Sequence, residues 1–251
     1  MATVAGLYRY PIKGLSGASL TEIKLEAGAG VPFDRAFALA HGSTRFDPLQ
    51  PEYLPPASFF QLKRDERLAA LATSFDPATG ILTVARDGRQ VARGAITQAS
   101  GRMVIEQFFG AYLKNLERGQ PKLVHAAGHH FADAPEPFVS LINLASVKDL
   151  ERVVGKPIDP LRFRGNVHIE GPPAWAEFES VGRAVTLGDA RLEVEARIGR
   201  CAATNVEPGS GNRDLNLPAA LQRAYGHADL GVYARVSDGG SVAVGDTIVF
   251  G

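Results

Sequence analysis

The sequence predicts an α+β protein in which β-structure predominates, with short strands forming a barrel and a few short helices at its flanks. Three observations predict it. Apolar and β-branched runs recur along the chain, each bounded by Gly, Pro, Asn or Asp. Asp87-Gly88 and Asp238-Gly-Gly240 stand between such runs, which is the chemistry of tight hairpin turns. Helical stripes are few and do not alternate with the strands, so a doubly wound or TIM-barrel arrangement is excluded.

The elements follow in order. Residues 4–10, 20–26 and 36–40 read as strands, and 59–63 as a further one. Residues 65–71 give a single helical turn. Pro77-Ala-Thr-Gly80 is turn chemistry between strands 74–76 and 81–86, and Asp87-Gly88 then turns the chain into strand 89–93. Ile105, Phe108, Phe109, Tyr112, Leu113 and Leu116 keep helical spacing and form the core-facing stripe of one helix. Residues 122–126 and 138–143 are strands. A short helix runs over 146–154, with Ser146 as its N-cap and Gly155 and Pro157 as its stop. Residues 166–170 form a strand, and 183–187 with 190–197 a hairpin across Gly188-Asp189. Asn216 caps a helix carrying Leu217, Leu221 and Tyr225 that ends at Gly226. Strands 230–237 and 242–250 close the chain as a hairpin. The seam between two expected domains, 1–97 and 98–251, lies near residue 97.

Composition narrows the function. At 251 residues the chain buries roughly 70–75% of its unfolded surface and needs no disulfide to fold. Its single cysteine permits no intramolecular disulfide and fits a reducing cytoplasm, or a thiol kept for chemistry. Lys+Arg and Asp+Glu are both 27, so the chain lacks the basic excess of a nucleic-acid binder. Arg outnumbers Lys by 20 to 7, which suits an anionic cofactor and equally suits a GC-rich genome. No apolar run approaches the ~20 residues that span a bilayer, and no targeting segment is seen, so the expectation is a cytoplasmic protein without membrane contact.

Cys201 is the first chemical candidate. A lone cysteine is more often a small buried hydrophobe. This one follows a strand, lies within four residues of Arg197 and Arg200, and precedes the loop of residues 207–214. Neighbouring cations favour the thiolate, the reactive and metal-binding form. His125, His129 and His130 with Asp133 are the competing metal set, although their spacing shares a face only on a helix and Ala-Ala-Gly-His-His reads as loop. A Cys–His hydrolase would need His168 or His227 beside Cys201. Gly28-Ala-Gly30 and Gly209-Ser-Gly211 lack the context of a phosphate loop and are turns. Lys13, Arg35 and Arg164, taken singly, read as solvated surface cations.

Tyr10-Pro-Ile-Lys13, Asp34-Arg35, Arg164-Gly-Asn166 and Arg200-Cys201-Ala-Ala-Thr204 stand in this order along the chain, which in this respect resembles the MOSC family, named after the C-terminal domain of molybdenum cofactor sulfurase. Tyr10-Pro-Ile-Lys13-Gly14 and Gly30-Val-Pro-Phe-Asp34-Arg35 resemble its N-terminal β-barrel domain. Phe138-Val-Ser140-Leu-Ile-Asn-Leu-Ala-Ser146, Arg162-Phe-Arg164-Gly-Asn166 and Arg200-Cys201-Ala-Ala-Thr204 resemble the MOSC domain itself, as do Gly231-Val-Tyr233 and Val244-Gly245-Asp246. Pro-x-Lys, Asp-Arg, Arg-x-Asn and Arg-Cys-x-x-Thr in this order are specific together.

The resemblance implies a MOSC-type β-barrel over residues 98–251, an N-terminal β-barrel domain over 1–97, and a molybdopterin cofactor. It is similar to the amidoxime-reducing component and its bacterial relatives, which implies an oxidoreductase acting on N-hydroxylated small molecules. Carried over, Cys201 is metal ligand and catalytic residue. Lys13, Arg35, Arg164 and Asn166 contact the pterin or its phosphate, with Ser140, Ser146, Arg200 and Thr204 as further contacts. Two departures stand out. Gly14 replaces the serine that often follows the family lysine. No cysteine-rich ferredoxin module is present, which implies a separate electron donor of ferredoxin or flavoprotein type. The pyridoxal-phosphate desulfurase domain of the sulfurases is missing too, so pyridoxal phosphate is not expected. The alternative is a non-redox carrier of the cofactor, or of sulfur as a Cys201 persulfide.

Overall fold

The computed structural model describes residues 1–114 and 116–251. Its N-terminal half supplies β1 (Ala2–Arg9), β2 (Ala18–Leu20), β3 (Glu22–Leu25), β4 (Ala38–Ala40), β5 (Ala72–Asp76), β6 (Ile81–Arg86), β7 (Arg89–Ala95), α1 (Ala99–Tyr112) and β8 (Lys122–Val124). The C-terminal half supplies β9 (Val139–Asn143), α2 (Leu144–Val154), β10 (Val167–Glu170), β11 (Ala184–Leu187), β12 (Ala190–Gly199), α3 (Leu217–Tyr225), β13 (Asp229–Asp238), β14 (Gly240–Ala243) and β15 (Thr247–Phe250). The predominantly β, α+β class is what the sequence predicts.

Seven strands close a barrel in the order β10-β9-β13-β12-β11-β15-β1, with β1 returning to β10 and β2 attached outside to β1. An odd ring cannot alternate direction throughout, so at least one neighbouring pair runs parallel. That pair is β9–β10. A parallel pair needs a crossover, and α2 lies in it. The interior is filled by alternate strand residues, among them Val4, Leu7, Leu141, Val167, Leu192, Val194, Val232 and Ala234. A barrel this small is a packed core rather than a channel.

At one end of the barrel α2 and α3 pack Val147, Leu150, Leu217 and Leu221 against Ile142, Phe163 and Leu230. Asn143 caps α2 by accepting from the Ala145 N–H at 3.0 Å, and Gly155 ends it with φ 73°. Ser146 is therefore not the cap that the sequence predicts. It sits one turn inside, where its hydroxyl donates to the buried carboxylate of Glu177. Helix α3 follows expectation, with Asn216 as N-cap and Gly226 in the left-handed conformation at its end.

The other lobe has its own core. The sheet β5-β6-β7 and α1 enclose Ile12, Phe37, Phe60, Leu82, Ile105 and Phe109. Helix α1 ends at Tyr112, so Leu116 packs on that core from beyond the helix. Three predicted strands are cut. The run 20–26 breaks at Thr21 into β2 and β3, and 59–63 keeps a single bridge between Phe59 and Ala40. The expected closing hairpin does not form. Gly245, at φ 95°, splits the last run. β14 then leaves to pair with β3, while β15 joins β11 and β1 to close the barrel.

A seam at residue 97 is crossed in both directions. β1 belongs to the C-terminal barrel, and α1 and β8 pack with the N-terminal core.

Candidate cofactor site

A cleft runs between the two lobes, lined from one side by Lys13, Gly14, Asp34 and Arg35 and from the other by Ser140, Arg164, Asn166, Arg200, Cys201 and Thr204. Of the nine residues that the resemblance implies, the structure brings eight together here. Ser146 lies apart, taken up by Glu177 beneath α2.

Cys201 stands where β12 runs out. It caps the 3-10 turn Ala202–Asn205, and its thiol is free and exposed. Thr204 folds back on it, donating from Oγ1 (2.9 Å) and from its N–H (3.1 Å) to the Cys201 carbonyl. Arg200 fixes the strand end. It donates to the Leu230 carbonyl from Nε at 2.8 Å and from Nη2, and to the Phe163 carbonyl from Nη1 at 2.9 Å. Burial lowers Arg200 to about 10, which leaves it charged at neutral pH. Arg197, the other cation beside Cys201 in sequence, is not in the cleft. It lies over the Phe178 ring at 4.3 Å, on the opposite strand face from its neighbour Ile198, which lines the cleft.

The phosphate-type donors come from strained backbone. Arg35 and Arg164 have φ values of 50° and 53°, a conformation rare for residues with a Cβ. Their guanidinium groups lie over the Tyr10 ring, at 4.7 and 4.3 Å. Arg35 donates to Asp34 from Nη1 and to the Arg164 carbonyl from Nη2 at 2.8 Å. Burial opposes the charge on Arg35, but Asp34 outweighs it and holds the group above its ordinary value. Arg164 has no such carboxylate. Its Nη1 donates to the Leu15 carbonyl at 2.6 Å, while Nη2 is buried without a partner. Burial, and then the charge of Arg35, lower it to about 10.

Lys13 is buried, and its ammonium donates to the Phe131 carbonyl at 2.8 Å and to Asp133. Burial lowers its pKa, partly offset by the Asp133 charge. Ser140 and Asn166 satisfy one another. The Ser140 hydroxyl donates to Asn166 Oδ1 at 2.7 Å and accepts from the Asn166 N–H at 3.0 Å. The Asn166 amide also donates to the Tyr8 carbonyl at 3.2 Å, which ties β10 to β1 under the cleft floor.

The two competing readings lose their geometry. Among the described residues no three His, Cys, Asp or Glu side chains are placed to hold a metal ion. His125 stacks on Phe37 at 4.6 Å, His129 packs edge-on to Phe131 at 4.9 Å, and Asp133 turns to Lys13. Among the described residues no histidine lines the cleft beside Cys201. His168 is buried against Tyr8 and His227 packs on Phe178, so neither serves as a base for the thiol.

Sequence reasoning missed the partners. Asp34 accepts the Tyr10 N–H at 2.8 Å and orients Arg35, and its only signal was adjacency in Asp34-Arg35. Arg162, also in the cleft wall, makes a two-pronged ion pair with Asp214 at 2.8 Å. Fifty-two residues separate those two, and no local pattern links them.

This donor set fits a pterin-borne metal. A soft sulfur is exposed beside a patch of buried cations, and Arg164 Nη2 and Arg162 Nε lack acceptors. A phosphate oxygen supplies such an acceptor, and a metal bound by other sulfurs suits a cysteine ligand.

Fold and site together define a two-lobed β-barrel protein with a cationic, thiol-bearing cleft. The comparisons agree with that class. The model of the MOSC N-terminal beta barrel domain matches residues 1–141, and that of the MOSC domain matches residues 126–249. The chain belongs to the MOSC family. It is 24% identical to mitochondrial amidoxime-reducing component 1 of Mus musculus, over 99% of this chain and 82% of that protein. It is 30% identical to molybdenum cofactor sulfurase of Caenorhabditis briggsae over 51% of this chain, and spans only 19% of that protein's length. A solved structure, the YUAD protein from Bacillus subtilis, is 14% identical with a TM-score of 0.46, covering 98% of this chain and 93% of that one.

Proposed function

We propose that the inter-lobe cleft binds the molybdenum cofactor and that the protein is an oxidoreductase for N-hydroxylated small molecules. The observation that supports this is the meeting, in one cleft, of the exposed Cys201 thiol with Lys13, Arg35 and the unsatisfied Arg164. When bound, the cofactor supplies the two-electron oxygen-transfer chemistry that N–O cleavage requires. The protein's own part is placement. Cys201 Sγ ligates the metal, held by the Thr204 turn and the Arg200 clamp. Arg164 and Arg35 hold the phosphate, and Lys13 adds charge from the other lobe. Ser140 and Asn166 keep β9, β10 and β1 in register beneath it. A separate electron donor, of ferredoxin or flavoprotein type, completes the cycle. The mouse relative's name and near full-length match support this substrate class.

The exposure of Cys201 favours one second reading, a carrier of the cofactor or of sulfur as a persulfide. Reduction of benzamidoxime by the molybdenum-loaded protein, driven by a reduced viologen dye, separates them. Turnover in the wild type and none in Cys201→Ser supports the oxidoreductase. Bound molybdenum without any benzamidoxime reduction supports the carrier.

A further inference from the structure

Two aromatic rings in the inter-lobe cleft belong to no core. Phe138 and Tyr233 line that cleft, both half-buried, with their rings stacked at 5.3 Å and 24°. Strand alternation puts them there. Tyr233 on β13 stands opposite Ser140 on β9, and directly paired residues share a face of the sheet. Phe138 precedes Ser140 by two residues and falls on that same face. Their neighbours Val139, Leu141, Val232 and Ala234 point the other way, into the barrel. Among the described residues neither ring joins any of the four apolar clusters.

Tyr233 also carries a hydroxyl with nothing to hold. It makes no hydrogen bond among the described residues. Burial pushes its pKa above the ordinary value, so it is a neutral donor at neutral pH. Arg200, Asp133, Arg35 and Cys201 are close enough for their charges to act on it. Both carboxylates nearby are taken, Asp133 by Lys13 and Asp34 by Arg35. The rest of the cleft is cationic and suits a phosphate. A stacked pair of rings suits a flat arene instead, which prefers an offset or edge-on ring partner. A free phenol O–H beside that pair suits an acceptor at the arene's edge. The nearness of Cys201 puts this donor beside the ligand sulfur, where a substrate's reacting group has to come.

We propose that Phe138 and Tyr233 are the substrate platform of this cleft and select N-hydroxylated compounds that carry a flat aryl group. The arene stacks on the pair, and the Tyr233 hydroxyl donates to the oxygen of the N–O group. The inference rests on the oxidoreductase reading for the N–O group, while the seat of the arene does not depend on turnover.

NMR titration of benzamide into the full chain, purified from a cofactor-competent host, reads the platform without turnover. Benzamide is flat and has no N–O bond, and its carbonyl stands in for the N–O oxygen. One saturable site per chain is expected, with the ring protons moved upfield by the stacked rings and cyclohexanecarboxamide about fivefold weaker. Tyr233→Phe keeps the stack and weakens benzamide about fivefold by removing one hydrogen bond. Phe138→Leu removes the preference for the flat ring. Circular dichroism checks that variant's fold, and Tyr233→Phe decides if it fails to fold. In viologen-driven reduction of benzamidoxime by the molybdenum-loaded protein, the loss in both variants falls on KM rather than kcat, as loss of uniform binding dictates. Absence of saturable benzamide binding, equal affinity for the two amides, or an unaffected Tyr233→Phe would each overturn the proposal. Loss of molybdenum from Phe138→Leu would overturn it too, by assigning the rings to the pterin. A wild type that binds benzamide as expected and reduces no benzamidoxime would overturn the oxidoreductase reading alone and support the arene's seat.

Discussion

At the scale of single residues, the cleft is built on backbone that the sequence does not favour. Arg35 and Arg164 are two of the five non-glycine residues with positive φ among the described residues. Such residues carry strain of about 1–3 kcal/mol and persist where the surroundings dictate them. Both arginines are dictated by what they hold, Asp34 and Leu15 in the first lobe and each other across the cleft. Arg164→Gly and Arg164→Ala lose the same contacts, so the difference between them isolates the strain. Urea unfolding should show Arg164→Gly more stable than Arg164→Ala by about 1 kcal/mol, against the usual preference for alanine. His168 gives a second prediction. Burial lowers its folded pKa to about 4, below the ordinary 6.5. The unfolded chain therefore binds the extra proton first as pH falls, and the stabilisation present above 6.5 is lost between 6.5 and 4. Up to about 3 kcal/mol is at stake. His168→Phe should flatten the stability curve in that window, measured by denaturation at a series of pH values. The resemblance named Lys13, Arg35, Arg164 and Cys201. Composition and spacing alone did not make them converge, because Lys13 and Arg164 meet across roughly 150 residues of chain. The thiol's supposed neighbour Arg197 shows the opposite error, since β12 shifts register near Arg197 and ends before Cys201, and Arg197 packs on Phe178 instead.

At the scale of elements, what was legible follows the range of the interaction. Asn216 and Gly226 bound α3 locally, and Asp87-Gly88 turns β6 into β7 as expected. The cap of α2 lies three residues before the predicted one because Asn143 competes for that role and Ser146 has a tertiary partner in Glu177. The last strand divides because β3 offers β14 an edge, which no window of the sequence contains. Packing of α1 on β7 gives a prediction with a reversed sign. Gly101 lies in α1, where Gly→Ala ordinarily stabilises by about 1 kcal/mol. Here an added Cβ would overlap the Ala95 carbonyl oxygen and backbone N, which a rigid strand cannot move aside. Gly101→Ala should destabilise by about 1–3 kcal/mol in chemical denaturation.

At the scale of the whole molecule, the N-terminus completes the C-terminal barrel. β1 pairs with β10 on one side and β15 on the other, and Val4 and Leu7 fill the interior. Without it two strands keep open edges and the core loses a wall. Residues 98–251 expressed alone should fail to give a cooperative thermal transition, and the same span with β1 restored by fusion should recover it. This closure also places the inter-lobe cleft. β1 leads directly into Tyr10 and Lys13, while β9, β10 and β12 deliver Ser140, Asn166 and Cys201 to the same end. The proposed function requires that this cleft hold a molybdenum ion through Cys201. Molybdenum per chain, measured by elemental analysis on wild type and Cys201→Ser purified from a cofactor-competent host, tests it most directly. Near-stoichiometric metal is expected in the wild type and clearly less in the variant. No molybdenum in either protein, with molybdopterin available in the host, would contradict it.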